Sequence, residues 1–127
     1  MKSTEPPLLP ITILPSARAE TLAQDWGGLT WFASQSLGNS AEVTVGRCVL
    51  LPGQSNPRHY HPNCSEVLVV IQGRIRHTDG DGGTTEMGEG DTVTIAPHVW
   101  HQATNIGAQD AVLFIVFTSA SRETVGE

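Results

Sequence analysis

Residues 53–73 read GQSNPRHYHPNCSEVLVVIQG. Two histidines in this stretch, His59 and His61, are two positions apart, so in a strand their imidazoles lie on the same face. Glu66 follows across the turn-forming segment 62–64, which can fold the chain back and bring the carboxylate to the same place. The stretch therefore predicts extended segments joined by a turn, with three metal-binding side chains directed at one point.

The chain around this stretch alternates apolar runs with turn chemistry. Apolar or β-branched runs occur at 42–51, 65–72, 92–96 and 111–118. They are separated by sequences typical of turns, namely Pro52-Gly53, Asp79-Gly80-Asp81-Gly82-Gly83 and Asn105-Ile106-Gly107. The 13 glycines and 8 prolines lie between short apolar runs, which favours many short strands over a helical bundle. We predict an all-β domain that forms a meander or Greek-key barrel.

Two of the runs indicate that more than one face of the sheet is covered. Residues 67–71 and 111–117 are apolar at both odd and even positions. A strand with one solvated face instead alternates apolar and polar side chains. The cover can be the N-terminal arm, a second subunit or both. We therefore predict a homodimer.

Composition excludes several classes of function. The 127 residues carry 13 acidic against 7 basic side chains, a formal charge of −6, so no basic surplus exists to bind nucleic acid or an anionic membrane. No run approaches the roughly 20 apolar residues that span a bilayer. The length suits one domain.

The cysteines and the N-terminus favour a cytoplasmic location. Cys48 and Cys64 form no CxxC pair and are too few for a disulfide framework, which favours a reducing compartment. The apolar patch 8–14 is interrupted by Pro10 and closed by Pro15, so we do not expect a signal peptide.

The chain divides into three parts. Residues 1–40 are predicted to be an extended, proline-interrupted arm with one helical turn at 19–24 and one strand at 29–33. Residues 41–119 form the barrel, and 120–127 are a C-terminal tail.

A second histidine pair extends the candidate metal site. His98 and His101 lie in one short window, and His101 can supply a third imidazole from a later strand. Three neutral nitrogens and one carboxylate oxygen suit Mn, Fe, Co, Ni, Cu or Zn, whereas Ca and Mg prefer oxygen alone. Taken by itself, the His59–His61 pair is also compatible with an ordinary surface pair. Cys64 is a conceivable thiolate ligand, but a buried bystander is the simpler interpretation.

The full spacing is Gly53-x5-His59-x-His61-x4-Glu66-x6-Gly73, then Gly90-x10-His101-x3-Asn105. This pattern resembles the two motifs of the cupin superfamily and covers about residues 41–118. The first motif matches at every defining position. The second has Ala96 where the family has proline, and His98 where it has a second glycine.

The resemblance implies a small antiparallel β-barrel of the jelly-roll type. It also implies one divalent transition metal held by His59, His61, Glu66 and His101. The motif glycines, Gly53, Gly73 and Gly90, would mark tight turns, and Asn105 would close a turn after the last ligand.

His98 is the candidate for a catalytic or substrate-contacting role outside the metal ligands. It precedes His101 by three residues and follows Pro97, which places it in a turn near the expected barrel mouth. The alternative is a surface histidine in a turn. Arg58 and Tyr60 alternate with the first two ligands along the chain, so their side chains lie on the opposite face of the strand. We therefore interpret both as structural.

Two classes of function are compatible with this site. The first is a metal-dependent enzyme on a small, metal-chelating organic substrate, and the resemblance to single-domain quercetin-dioxygenase-like and acireductone-dioxygenase-like cupins favours dioxygenase-like oxidoreductase chemistry. Isomerase, decarboxylase and lyase reactions remain open for the same metal arrangement. The second class is a binding or sensing module that holds a small ligand without converting it.

Overall fold

The computed structural model describes residues 8–127, and the first two prolines of the predicted arm, Pro6 and Pro7, lie outside this range. The strands are β1 Thr21–Gln24, β2 Gly27–Ala33, β3 Thr44–Leu50, β4 His59–Tyr60, β5 Glu66–Gln72, β6 Ile75–Thr78, β7 Thr84–Met87, β8 Thr92–Ile95, β9 Gln102–Asn105, β10 Ala111–Phe117 and β11 Val125–Gly126. A 3-10 turn, Ser16–Arg18, precedes them. The all-β prediction is confirmed. Within residues 8–127, no helix has the length and apolar character to cross a bilayer.

Two antiparallel sheets form the sides of a β-barrel. The larger has the order β1-β2-β3-β10-β5-β8 and the smaller has the order β7-β6-β9, while β11 pairs with β4. Leu50, Val70 and Leu113 from the larger sheet pack in one buried cluster with Ile75 from the smaller. Alternating burial along β3 and β10 directs one face of each strand into this cluster. The core therefore lies between the inner faces of the two sheets.

The N-terminal part of the barrel differs from the prediction in one element. The helical turn expected at 19–24 is wrong, because Thr21–Gln24 is a strand that pairs with β2. The hydroxyls of Thr21 and Thr30 are 2.7 Å apart across this pair. One helical turn forms a single hydrogen bond at a high entropic cost, so the ladder along β2 outweighs a weak local preference. The strand predicted at 29–33 is the C-terminal part of β2.

Residues 8–13 of the N-terminal arm do not cover the barrel. Leu9, Ile11 and Ile13 are exposed, so they bury little against any strand. On the outer face of β5 and β10, Ile71 is 46% exposed and Phe114 is 43% exposed. The prediction that something covers these strands is therefore not met within the part of one chain that the structure describes.

The C-terminal residues are more than a tail. In the short strand β11, Val125 pairs with Tyr60 and Gly126 pairs with His59. The predicted tail 120–127 thus crosses the barrel beside the first histidine window. This placement brings residues 122–124 to the candidate site.

Candidate metal centre

The four predicted ligands come from three places along the chain and meet at one point. His59 lies in β4, His61 directly follows that strand, and Glu66 begins β5. The backbone of His101 pairs with that of His59 through hydrogen bonds of 3.1 and 2.8 Å. One nitrogen from each histidine and one Glu66 oxygen all lie within 4.8 Å of one another. Three of the four side chains are buried, and only His59 is half-buried.

Backbone carbonyls orient all three imidazoles in the same way. The Nδ1 atom of His59 lies 2.6 Å from the carbonyl oxygen of Pro57. The Nδ1 atom of His61 lies 2.8 Å from the carbonyl oxygen of Glu123, and that of His101 lies 2.9 Å from the carbonyl oxygen of Val99. A carbonyl oxygen can only accept, so each Nδ1 carries a proton. Each neutral ring therefore has its lone pair on Nε2, which is the tautomer a metal requires.

Burial and the neighbouring rings set the ionisation of the site. Burial would raise the pKa of the Glu66 carboxyl, but the imidazoles of His101 and His61 beside it lower that pKa to about 2. Burial lowers the pKa of His59 to about 4. For His101 the effect of burial is outweighed by the hydrogen bond to Glu66, and its pKa is raised. Near neutral pH, Glu66 is thus an anion and His59 is neutral.

The donor set fits a divalent transition metal. Nε2 of His61 lies 3.2 Å from Oε1 of Glu66, yet it has no hydrogen-bond partner among residues 8–127. A buried nitrogen without a partner is costly unless another group binds it. Three imidazole nitrogens and one carboxylate oxygen are the donors that first-row metals accept. The His59, His61, Glu66 and His101 group is therefore able to bind such a metal.

The other residues considered in the sequence lie outside this group. The His98 side chain is exposed, its ring is 5.9 Å from that of Tyr60, and its backbone N–H donates to the His61 carbonyl. Arg58 lies over the Trp100 ring and pairs with Glu127 at 2.8 Å. Cys64 is buried and unpaired, and burial raises the pKa of its thiol, as expected of a bystander.

A cavity of about 320 Å³ leads to the metal ligands. Most of its wall is apolar and comes from the inner face of the larger sheet, with Leu68, Ile115 and Phe117 as examples. His59, His61 and Glu66 lie at one part of this wall. Cavities of this size and character hold small organic ligands.

Sequence reasoning missed two residues near the site. His77 is buried, its Nε2 has no hydrogen-bond partner in the described part of the chain, and its ring stacks 5.9 Å from that of His101. It also lines a second, more polar cavity of about 520 Å³. His77 is two positions after the apolar Ile75, so both side chains lie on the same face of the strand. This spacing could have indicated that His77 points inward. Arg122 lines the first cavity, and no local signal marked it.

The backbone confirms the role expected of the motif glycines. Gly53, Gly73 and Gly90 have φ of +77°, +89° and +87°, a region that glycine adopts without strain. His98 has φ +69° and is the one non-glycine residue with positive φ between residues 8 and 127. The fold therefore imposes a left-handed conformation at the position where the motif has its second glycine.

Comparison with known proteins identifies the family. The family model for the cupin domain matches residues 46–117, which is more than half of the chain. The chain belongs to the cupin family. This cupin is 33% identical to germin-like protein 3-8 of Oryza sativa subsp. japonica over 64% of its own length and 38% of that protein. It is 34% identical to the auxin-binding protein ABP19b of Prunus persica over 71% of its length and 46% of that protein.

Solved structures share the fold of this cupin. An oxalate decarboxylase–formate complex of Lactobacillus farciminis has a TM-score of 0.80 at 16% identity, over 87% of this chain and 34% of that one. A Bacillus subtilis oxalate decarboxylase, studied for its Mn(II) centres, has a TM-score of 0.76 at 23% identity, over 84% of this chain and 29% of that one. The cupin thus spans less than half the length of these relatives.

Proposed function

We propose that this cupin is a divalent-metal-dependent enzyme that acts on a small, metal-chelating organic molecule by dioxygenase-like oxidoreductase chemistry. The observation that carries the proposal is the four-ligand group, three of whose members line a largely apolar cavity. When bound, a metal that prefers six donors supplies a Lewis acid with two positions beyond the four protein ligands.

The residues of the site have different roles. His59, His61, His101 and Glu66 hold the metal, and the three backbone carbonyls keep the imidazoles oriented. Glu66 remains ionised because of its low pKa, so it is a poor proton acceptor. Apolar side chains of the cavity wall replace water on the side of the bound molecule that faces them. The thiol of Cys48 in the same wall stays protonated, because burial raises its pKa to about 12.

The test begins with the metal content of the chain purified without added metal. We expect about one transition-metal ion per chain, and Mn(II) is the first to test because of the Mn(II) centres of the related decarboxylase. The double variant His59→Ala/His61→Ala should hold none, because it lacks half the ligands. The His98→Ala variant is the control and should keep its metal. A full metal content in the double variant would refute the assignment.

Oxygen consumption tests the reaction class. The metal-loaded chain should consume oxygen with an enediol or β-diketone substrate, and the double variant should not. If His98 contacts the substrate at the mouth, its alanine variant should lose activity several-fold without losing metal. Substrate loss without oxygen consumption would instead indicate a decarboxylase, isomerase or lyase, and the oxalate decarboxylase neighbours favour the first of these.

A non-catalytic binding protein is the second candidate. The auxin-binding relatives and the apolar cavity wall favour it. Retention of a small ligand without turnover in the metal-loaded chain would support this function.

We also propose that the protein is a cytoplasmic homodimer. The exposed apolar outer face of β5 and β10 supports a second copy as its cover. The two free, buried cysteines, Cys48 and Cys64, support a reducing compartment. Cell fractionation tests the location, and light scattering tests the dimer.

A further inference from the structure

Arg122 brings a positive charge to the wall of the cavity that His59, His61 and Glu66 also line. It lies in the C-terminal segment and is half-buried. Its guanidinium carbon is 4.2 Å from the centre of the Trp31 ring and 5.1 Å from that of Phe117, and both rings line the same cavity. Cation–π contacts of this kind hold a guanidinium at an apolar wall.

The charge of Arg122 has no carboxylate partner at contact distance. Among residues 8–127, no carboxylate lies within 4.0 Å of its guanidinium. Its side chain makes one hydrogen bond, from Nη1 to the Thr124 hydroxyl at 2.6 Å. A guanidinium has five N–H donors, so most of its capacity is open to a ligand.

Arg58 provides a direct contrast in the same molecule. It also lies over a tryptophan ring, that of Trp100 at 5.1 Å, but it pairs with Glu127 at 2.8 Å. It does not line the cavity. An arginine that stacks on tryptophan can therefore also have a carboxylate partner. Stacking does not explain why Arg122 has no carboxylate at contact distance among residues 8–127.

The charge balance of the loaded site favours an anion. A divalent metal and the Glu66 carboxylate leave one positive charge, and Arg122 adds a second. Both lie in a largely apolar cavity, where attraction to an anion is stronger than in water. A carboxylate matches the planar fork of a guanidinium through two parallel hydrogen bonds.

We propose that Arg122 binds the carboxylate of an organic acid whose apolar part packs against the cavity wall. This inference rests on the proposed function, because the acid would be the substrate or ligand of that same site. Arg122 is then a specificity-determining residue that selects acids over neutral molecules of the same shape. It acts from the C-terminal segment, outside both sequence motifs.

The test compares benzoate with benzamide, which has a similar shape and no charge. Binding to the full chain is followed by tryptophan fluorescence, because Trp26 and Trp31 line the cavity. Both the Mn(II)-loaded and the metal-free protein are measured. Wild type should prefer benzoate, and Arg122→Gln should weaken benzoate binding by roughly 10- to 100-fold, the range for loss of a charge-assisted pair. Benzamide binding should change little.

Two further variants separate ligand binding from structure. Arg58→Gln is the matched control and should bind benzoate as wild type does. Arg122→Lys keeps the charge but not the fork, so its affinity should be intermediate. If Arg122→Gln does not fold, the lysine variant and the benzoate preference of wild type decide the question.

Several results would overturn the inference. These are equal binding of benzoate and benzamide to wild type, no binding of benzoate, unchanged benzoate affinity in a folded Arg122→Gln variant, or equal loss of both probes in that variant. Metal content is measured separately on each protein. If wild type holds no metal, the proposed function fails, while the benzoate preference of the metal-free chain still tests Arg122.

Discussion

At the scale of single residues, the ionisation of His101 should control metal binding. Its Nε2 lies 3.1 Å from the Glu66 carboxylate, and this hydrogen bond raises the pKa of His101 despite burial. A proton on that nitrogen occupies the position a metal needs, so metal binding must release it. His59, with a pKa of about 4, and Glu66, with a pKa of about 2, need no such change near neutral pH.

The prediction is an affinity that falls as the solution becomes more acidic. Below the raised pKa of His101, the apparent metal affinity should fall about tenfold per pH unit, because one proton competes for the site. Calorimetric titration between about pH 5.5 and about pH 8 measures this slope. In Glu66→Gln the His101 pKa should drop, so the remaining affinity should depend less on pH. Constant affinity down to about pH 5 would indicate a carboxylate-rich site elsewhere in the chain.

Asn105 illustrates a motif residue whose role is structural. Its side-chain amide donates to the carbonyls of Leu50 and Gln109, both at 2.8 Å, and its Oδ1 accepts from the N–H of Gly107 at 2.8 Å. The side chain is almost completely buried. It thus closes the turn after β9, as the sequence motif predicted, and ties that turn to the end of β3.

Replacement of Asn105 by alanine should destabilise the fold. The variant removes three hydrogen bonds, of which the one to the Leu50 carbonyl is buried, so we expect a loss of about 3 kcal/mol in the free energy of unfolding. Urea unfolding measures it. Asn39→Ala is the control, because the half-buried Asn39 makes two hydrogen bonds in a loop and its loss should be about 1 kcal/mol. Similar losses in both variants would contradict the role of Asn105.

At the scale of elements, the C-terminal segment completes the metal centre. The Glu123 carbonyl accepts from Nδ1 of His61, and the Thr124 hydroxyl lies 3.2 Å from the same nitrogen. Asn63 anchors the segment by donating to the Ser121 carbonyl and accepting from the Glu123 N–H. A segment predicted as a tail therefore fixes the orientation of a ligand.

Removal of residues 121–127 should weaken metal binding without unfolding the barrel. His61 then loses its acceptor, and loss of such a partner typically costs 10- to 100-fold in metal affinity. The buried cluster between the sheets contains no residue of this segment, so the truncated chain should keep the circular dichroism signal of a folded β-sheet protein. Asn63→Ala keeps the segment but loosens it, and its effect should be smaller. Wild-type affinity in the truncated chain would contradict this role.

The elements also show what the sequence could and could not predict. The runs at 42–51, 65–72, 92–96 and 111–118 match β3, β5, β8 and β10, because alternation and turn residues are local signals. The His-x-His spacing likewise forecasts the shared direction of His59 and His61. Strand β1 and Arg122 depend on pairing and packing with distant residues. Nothing within a few positions of Arg122 indicates that the chain returns across the barrel.

At the scale of the whole molecule, the barrel has an apolar outer face as well as an apolar core. On the outer face of β5 and β10, Ile71 and Phe114 are exposed, and Phe114 packs edge-on against Phe32 at 6.3 Å. Leu9 and Ile11 of the N-terminal arm are exposed too. Exposed apolar side chains that are contiguous on one face are a feature of protein interfaces. A second copy would cover the sheet and offer its own arm as a partner.

We therefore expect a dimer at micromolar concentration, with a mass twice the 13.6 kDa of one chain. Phe114→Glu places a charge in the centre of the outer face, where burying it without a partner is costly, so this variant should be a monomer. Leu37→Glu is the control, because Leu37 is similarly exposed but lies in the loop between β2 and β3. Multi-angle light scattering distinguishes the two masses. Since the metal ligands face the barrel interior, the monomeric variant should keep its metal. A monomeric wild-type chain would refute the homodimer, and a dimeric Phe114→Glu variant would place the interface on another surface.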